Sequence, residues 1–179
     1  MCVMKKITKR LCAAAILAVA SMTAASETLT VQGKVTNPAC TLLLEPVVFG
    51  DVPISALETG SPAEEYAKTF NVTVTSCMLS TLRSASLKFE GTRDPAYSTQ
   101  YGLQTTPGAG AAQGVAINLV GDDEAHNMKG VQIRTDGGVS YPLTLSKSTL
   151  QMKAVYVPTG AALVPGTANS TVTVTLTYS

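Results

Sequence analysis

A two-residue rhythm constrains this chain more than any other feature. Over residues 170–179, Val172, Val174, Leu176 and Tyr178 alternate with Thr171, Thr173, Thr175 and Thr177. Successive side chains of a strand point to opposite faces, so this string has one apolar and one polar face. β-branched residues suit an extended backbone better than a helix. Residues 69–76 repeat the pattern, with Phe70, Val72 and Val74 set against Asn71, Thr73 and Thr75. Residues 28–36 do so again, with Leu29, Val31, Gly33 and Val35 on one face. Further strands are expected over 85–89, 141–145 and 151–157, and a more fully apolar one over 114–120. Turn signals separate them, among them Pro107-Gly108, Asp136-Gly137-Gly138 and Pro165-Gly166. Short strands at this spacing predict an all-β sandwich. The best helical candidate is 61–68, where Ser61 could cap, Pro62 suits the first turn and Glu64 completes a capping box. The Gly-Ala-rich stretch 108–114 is expected to be a flexible loop.

The first 25 residues read as an address. Lys5, Lys6, Lys9 and Arg10 precede an apolar run from Leu11 to Met22, and small residues follow up to Ser26. That is the layout of a secretory signal peptide, with cleavage expected after Ala25 or Ser26. The run falls short of the ~20 residues a spanning helix needs. Without this segment, nine basic residues face twelve acidic ones, a net charge of −3. Cys40 and Cys77 are then the remaining cysteines. In an exported chain such a pair is expected to form a disulfide. Closing that loop would stabilise the fold by ~3–4 kcal/mol in the chain-entropy picture.

Charge and motifs exclude several classes of function. A net charge of +1 for the whole chain, with 14% charged residues, does not fit a nucleic-acid binder. There is no Gly-x-Ser-x-Gly elbow, no Walker lysine and no His-Glu-x-x-His helix. No catalytic residue, cofactor or metal is therefore assigned. Asp122, Asp123 and Glu124 precede the one histidine, His126, but their spacing does not fit a calcium loop. A solvated loop with a surface histidine is expected there.

An alternating segment close to the expected cleavage point is unusual, because chain ends are loose unless tied down. Such a tail can add itself as a strand to another sheet's edge. Residues 28–40, from Thr28 through Leu29, Val31, Gly33 and Val35 to Cys40, resemble the donor-strand tail and first cysteine of chaperone–usher pilus subunits of the type 1 and P fimbrial family. Residues 70–77 resemble the strand that carries the second cysteine. The C-terminal end resembles the family's closing pattern, with Gly166 fourteenth from the end and Tyr178 penultimate.

The resemblance implies an incomplete immunoglobulin-like β-sandwich, the pilin fold, completed by a donor strand from another chain. It implies a structural subunit of a surface fimbria that is polymerised by donor-strand exchange and mediates adhesion as part of the pilus, with no catalysis. Its partners would be a periplasmic pilus chaperone, an outer-membrane usher and neighbouring pilins, and the chain would reach the cell surface through the periplasm. Residues 26–36 would be the donor extension, with Leu29, Val31, Gly33 and Val35 as donor residues, and 37–179 the pilin domain. Cys40 and Cys77 would tie the first strand region to the sheet. Gly166, Val172, Val174, Leu176 and Tyr178 would form the groove and the strand read by the chaperone. The alternative from another class is a self-sufficient secreted β-sandwich that binds a carbohydrate or a receptor.

Overall fold

The computed structural model describes residues 40–75, 82–97, 100–144 and 146–179. The signal segment expected over 1–25, the tail strand expected over 28–36 and Cys77 lie outside the described residues. Among the described residues, eight strands form two sheets. They are β1 (Thr41–Leu44), β2 (Lys68–Thr75), β3 (Ala85–Gly91), β4 (Leu103–Gln104), β5 (Val115–Gly121), β6 (Tyr141–Pro142), β7 (Thr149–Pro158) and β8 (Val172–Tyr178). The first sheet runs β1-β2-β7-β5-β4 and the second β6-β3-β8, with every strand pairing antiparallel.

Alternation places the core. In β2, Phe70, Val72 and Val74 are buried while Asn71, Thr73 and Thr75 are only partly so. In β3, Ala85, Leu87 and Phe89 point inward. They meet Leu150, Met152, Ala154 and Tyr156 of β7 in one cluster, to which Ile133 also belongs. Phe89 and Tyr141 pack edge to face, with ring centroids 6.1 Å apart. Such a pair contributes ~0.5–1.5 kcal/mol beyond its buried area. β5 and the second half of β7 are buried on both faces. Their outer residues Ala116, Val155 and Val157 are covered by Ala67 and Tyr97. That double burial is why these stretches read as apolar runs and not as alternations.

Several expectations change in detail. β6 is only two residues long, with Pro142, which suits an edge strand, followed by one further bond from Leu143 N–H to Ala85 O at 2.8 Å. β1 and β4 were not expected. β1 exists because its backbone pairs with β2 in the register Thr41↔Thr75 to Leu44↔Val72, a cause that no local pattern encodes. The helical candidate contracts to a single 3₁₀ turn, Glu64–Tyr66, whose N-cap is Ala63 with no side-chain cap bond. The Ser61 capping box does not form; the Ala63 N–H instead donates to the Tyr156 carbonyl at 2.9 Å, and Lys153 Nζ reaches Glu64 Oε2 at 2.6 Å. The 108–114 stretch is not free. It is strapped to 164–167 by Ala112 N–H to Thr167 O at 2.9 Å and by reciprocal Gln113–Val164 bonds at 3.0 and 3.1 Å. The turn at Asp136-Gly137-Gly138 forms as expected, with Gly137 at φ 68 and Asp136 Oδ1 accepting the Gly138 N–H at 2.9 Å. The hydrogen bond from Arg134 holds the Asp136 carboxyl down at about 2.

Phe89 has no exposed surface and belongs to the core cluster that draws on both sheets. Phe89→Ala is expected to cost about 3–5 kcal/mol, measured as the loss in urea unfolding free energy. A cost below ~1 kcal/mol would mean that the core is not built around this ring.

Candidate functional site

The last strand is the anomaly of the fold. Among the described residues β8 pairs with β3 alone, so its other edge is unpaired. Its apolar face is also unfinished. Val172, Val174, Leu176 and Tyr178 are only half-buried, although the equivalent face of β2 is closed. An unpaired strand edge is a template for another backbone.

Beside this edge lies a cavity of about 960 Å³. One wall is the chain from Leu44 to Leu57, and the other is 164–172 with Val174. Its floor is core: Phe70, Phe89, Leu119, Ala154 and Tyr156 all reach it. Phe49 lies against Tyr156 with ring centroids 4.1 Å apart. Tyr156 Oη donates to Ala168 O at 2.8 Å, which ties the floor to the second wall. Burial pushes the Tyr156 hydroxyl pKa up, so it remains a donor across the neutral range. The rim is apolar and open: Val48 is 77% exposed, Leu44 43% and Val164 39%. Side chains of this kind are found in water when something else is meant to cover them.

Two contacts define the ends of this groove. At one end, the Cys40 N–H donates to Tyr178 Oη at 3.2 Å, joining the start of β1 to the end of β8. Ser179 adds bonds to the start of the neighbouring strand, its N–H donating to Ser84 O at 3.0 Å and its carbonyl accepting from Arg83 N–H at 2.6 Å. At the other end, Gly166 lies on the strap. A Cβ there would fall 2.5 Å from Ala111 C and Ala112 N, both backbone atoms. Only a residue without a Cβ fits so close to another backbone.

Of the residues singled out by sequence, Gly166, Val172 and Val174 line the cavity. Leu176 and Tyr178 lie farther along the same strand face and pack on the core. Leu29, Val31, Gly33, Val35 and Cys77 lie outside the described residues. Cys40 directly precedes β1, where its N–H meets Tyr178 Oη. Sequence reasoning missed the wall from Leu44 to Leu57. The apolar run Val47-Val48-Phe49 after Pro46 was the available signal, but it has no alternation and forms no strand.

The acidic loop proves to be structural. His126 is not a surface residue: it is only 4% exposed. Its Nδ1 lies 3.1 Å from Asp123 Oδ2. Asp123 also accepts the N–H groups of His126 at 3.2 Å and Gln151 at 3.0 Å. Burial pushes the Asp123 carboxyl up, but the Gln151 N–H and the His126 contacts outweigh it, and the pKa lies below 3.8. The loop is thus fastened to β7. No group of three His, Cys, Asp or Glu able to hold a metal occurs among the described residues.

The fimbrial protein family model matches residues 29–179. The chain belongs to the fimbrial protein family. Its fold resembles the P pilus rod subunit PapA, at 20% identity over 85% of this chain and 99% of that one, with a TM-score of 0.63. It also resembles an antigen and type I fimbria protein of Burkholderia pseudomallei, at 26% identity over 79% of this chain and 98% of that one, with a TM-score of 0.54. No curated protein matches it in sequence. This fimbrial protein therefore has the pilin fold and a structural role, not an enzymatic one. Membership places it in a cell-surface pilus, among neighbouring pilins.

Two expectations follow from this geometry. Gly166→Ala should cost about 1–3 kcal/mol by forcing the 110–112 backbone away, seen as a lowered unfolding midpoint; no change would mean that the strap is not held there. Asp123→Ala should cost about 1–3 kcal/mol at neutral pH through its lost hydrogen bonds. Because the folded pKa is depressed, the carboxylate stabilises the fold above 3.8 and loses that effect as pH falls through the lower folded value. The gap between variant and parent should therefore narrow in acid unfolding curves; a gap that stays constant would assign the cost to packing.

Proposed function

We propose that this fimbrial subunit is polymerised by donor-strand exchange. The observation that carries the reading is the apolar groove of about 960 Å³ beside the unpaired edge of β8. A strand laid there would pair with β8 through main-chain bonds and press alternate side chains onto Val172, Val174 and the floor. Each Leu or Val side chain so buried contributes ~1.5–3 kcal/mol.

In this reading residues 1–25 direct export and are removed, and residues 26–36 are the donor extension of the pilin domain 37–179. A periplasmic chaperone first lends a strand to the groove. At an outer-membrane usher, the tail of the next subunit replaces it and presents Leu29, Val31, Gly33 and Val35. Gly33 would meet a shallow part of the groove, where a side chain has no room. Leu176 and Tyr178 continue the same strand face and would be read by the chaperone along with Val172 and Val174. Cys40 pairs with Cys77 in this scheme. Support comes from the β1–β2 register, which ends with Thr41 opposite Thr75, two residues before Cys77. The finished fibre mediates adhesion. A self-sufficient binding module would have closed its own sandwich, which the exposed rim argues against.

Removing residues 26–36 is the direct test. The truncated subunit should still form a soluble complex with its chaperone, because the groove remains, and should fail to dock into a neighbour's groove. Normal assembly by the truncated subunit would overturn the donor role. A soluble, stable monomer made without any chaperone would overturn the open groove.

A further inference from the structure

Resting on the adhesive part of that reading, and not on strand exchange, we propose that a polar cleft beside β4 binds a neutral saccharide. The cleft has a volume of about 280 Å³, at the small end of ligand sites, which run to ~300–1,000 Å³. Its polar lining is Asp94, Gln104, Thr105 and Gln113. None of these four borders the apolar groove, although cleft and groove share Ala112 and Val115 as a wall. A strand filling the groove lies against none of the four.

Each polar group is carried on backbone that is already fastened. The Asp94 N–H donates to Gly102 O at 2.8 Å. Its Oδ1 accepts the N–H groups of Ala96 at 2.8 Å and Tyr97 at 3.1 Å. Gln104 pairs with Ala116 on one side and donates its N–H to Thr92 O at 2.8 Å on the other. Gln113 is held by its reciprocal bonds to Val164, and the Thr106 N–H next to Thr105 donates to Asn169 O at 2.6 Å. Asp94 Oδ2 and the side chains of Gln104, Thr105 and Gln113 have no hydrogen-bond partner among the described residues. Elsewhere such groups are spent on one another, as Asp122 on Lys129, Asp136 on Arg134 and Glu64 on Lys153. Unspent polar groups on a fixed frame can meet a ligand at little ordering cost. The strap side of the cleft is lined by Gly108, Ala111, Ala112 and Gly114, with side chains no larger than a methyl group. The Gly-Ala-rich composition of 108–114 thus keeps a space open.

The lining selects a class of ligand. Asp94 is its one charged residue and no basic residue lines the cleft among the described residues, so phosphate, sulfate and carboxylate groups are repelled. Amides and a hydroxyl both donate and accept, as sugar hydroxyls do. An ammonium group only donates and would leave the amide N–H groups unanswered. Pro107 and Val115 add apolar surface for the C–H groups of a sugar ring.

The experiment passes fibres of the full mature chain over immobilised neutral mono- and disaccharides. Sialylated and sulfated glycans and putrescine serve as the acidic and cationic counterparts. At least one neutral saccharide should retain the fibre, and that saccharide is then titrated as its free methyl glycoside. Asp94→Asn keeps an oxygen for the Ala96 and Tyr97 N–H groups and removes the charge; it should raise the Kd about ten-fold. Gln113→Ala should raise it about five-fold. Glu58→Gln, at an exposed carboxylate outside the cleft, should leave it unchanged. Retention by no neutral saccharide, or preferential retention by an acidic glycan or putrescine, would overturn the proposal. So would a Kd unmoved by both cleft variants, which would put the sugar elsewhere. Each of these failures leaves strand exchange standing, because the measurement begins from fibres already formed.

Discussion

The structure depends on a sheet edge that no strand among the described residues covers. β8 holds seven registered pairs with β3 on one side and none on the other among the described residues. Backbone donors and acceptors left on an edge are tolerable in water, but an apolar face next to them is not. The rest of the molecule is arranged around that mismatch. The wall from Leu44 to Leu57 stands off from β8 and leaves the floor accessible. The strap between 108–114 and 164–167 keeps the second wall from falling inward, because its hydrogen bonds hold both backbones at a fixed spacing. Gly166 makes that spacing possible.

Much of the sandwich was legible because alternation reports one-sided burial directly. β2, β3 and β8 have an inward residue at every second position, and the sequence shows it. β5 and β7 were legible as apolar runs, since both of their faces are covered. β1 and β4 were not, because they are short and owe their existence to neighbours: β1 to four pairs with β2, β4 to two with β5. A local pattern carries no information about partners that arrive from afar. The 61–68 segment failed for a related reason. Its capping residues were correct in type, yet the Tyr156 carbonyl offered the turn a stronger anchor than Ser61 did.

The groove was half legible. Val172 and Val174 declared themselves by rhythm, whereas Phe49 and Val48 sit in an irregular segment whose role follows only from where β1 delivers it. His126 shows the opposite error. A lone histidine among three acids looks solvated in sequence, but Asp123 uses its carboxylate to fasten the loop to β7 and carries His126 inside. Composition could not distinguish a charged surface from a charged anchor.

The β3–β8 ladder has a mechanical consequence. Hydrogen bonds of an antiparallel pair lie across the strands. If neighbouring subunits are joined by a strand seated along β8, tension on the fibre acts lengthwise on that pair. The seven rungs from Gly91–Val172 to Ala85–Tyr178 would then share the load in shear and would have to fail together. A peeling geometry would break them singly. A filament anchored in this way resists pulling through geometry, without any covalent bond between its subunits.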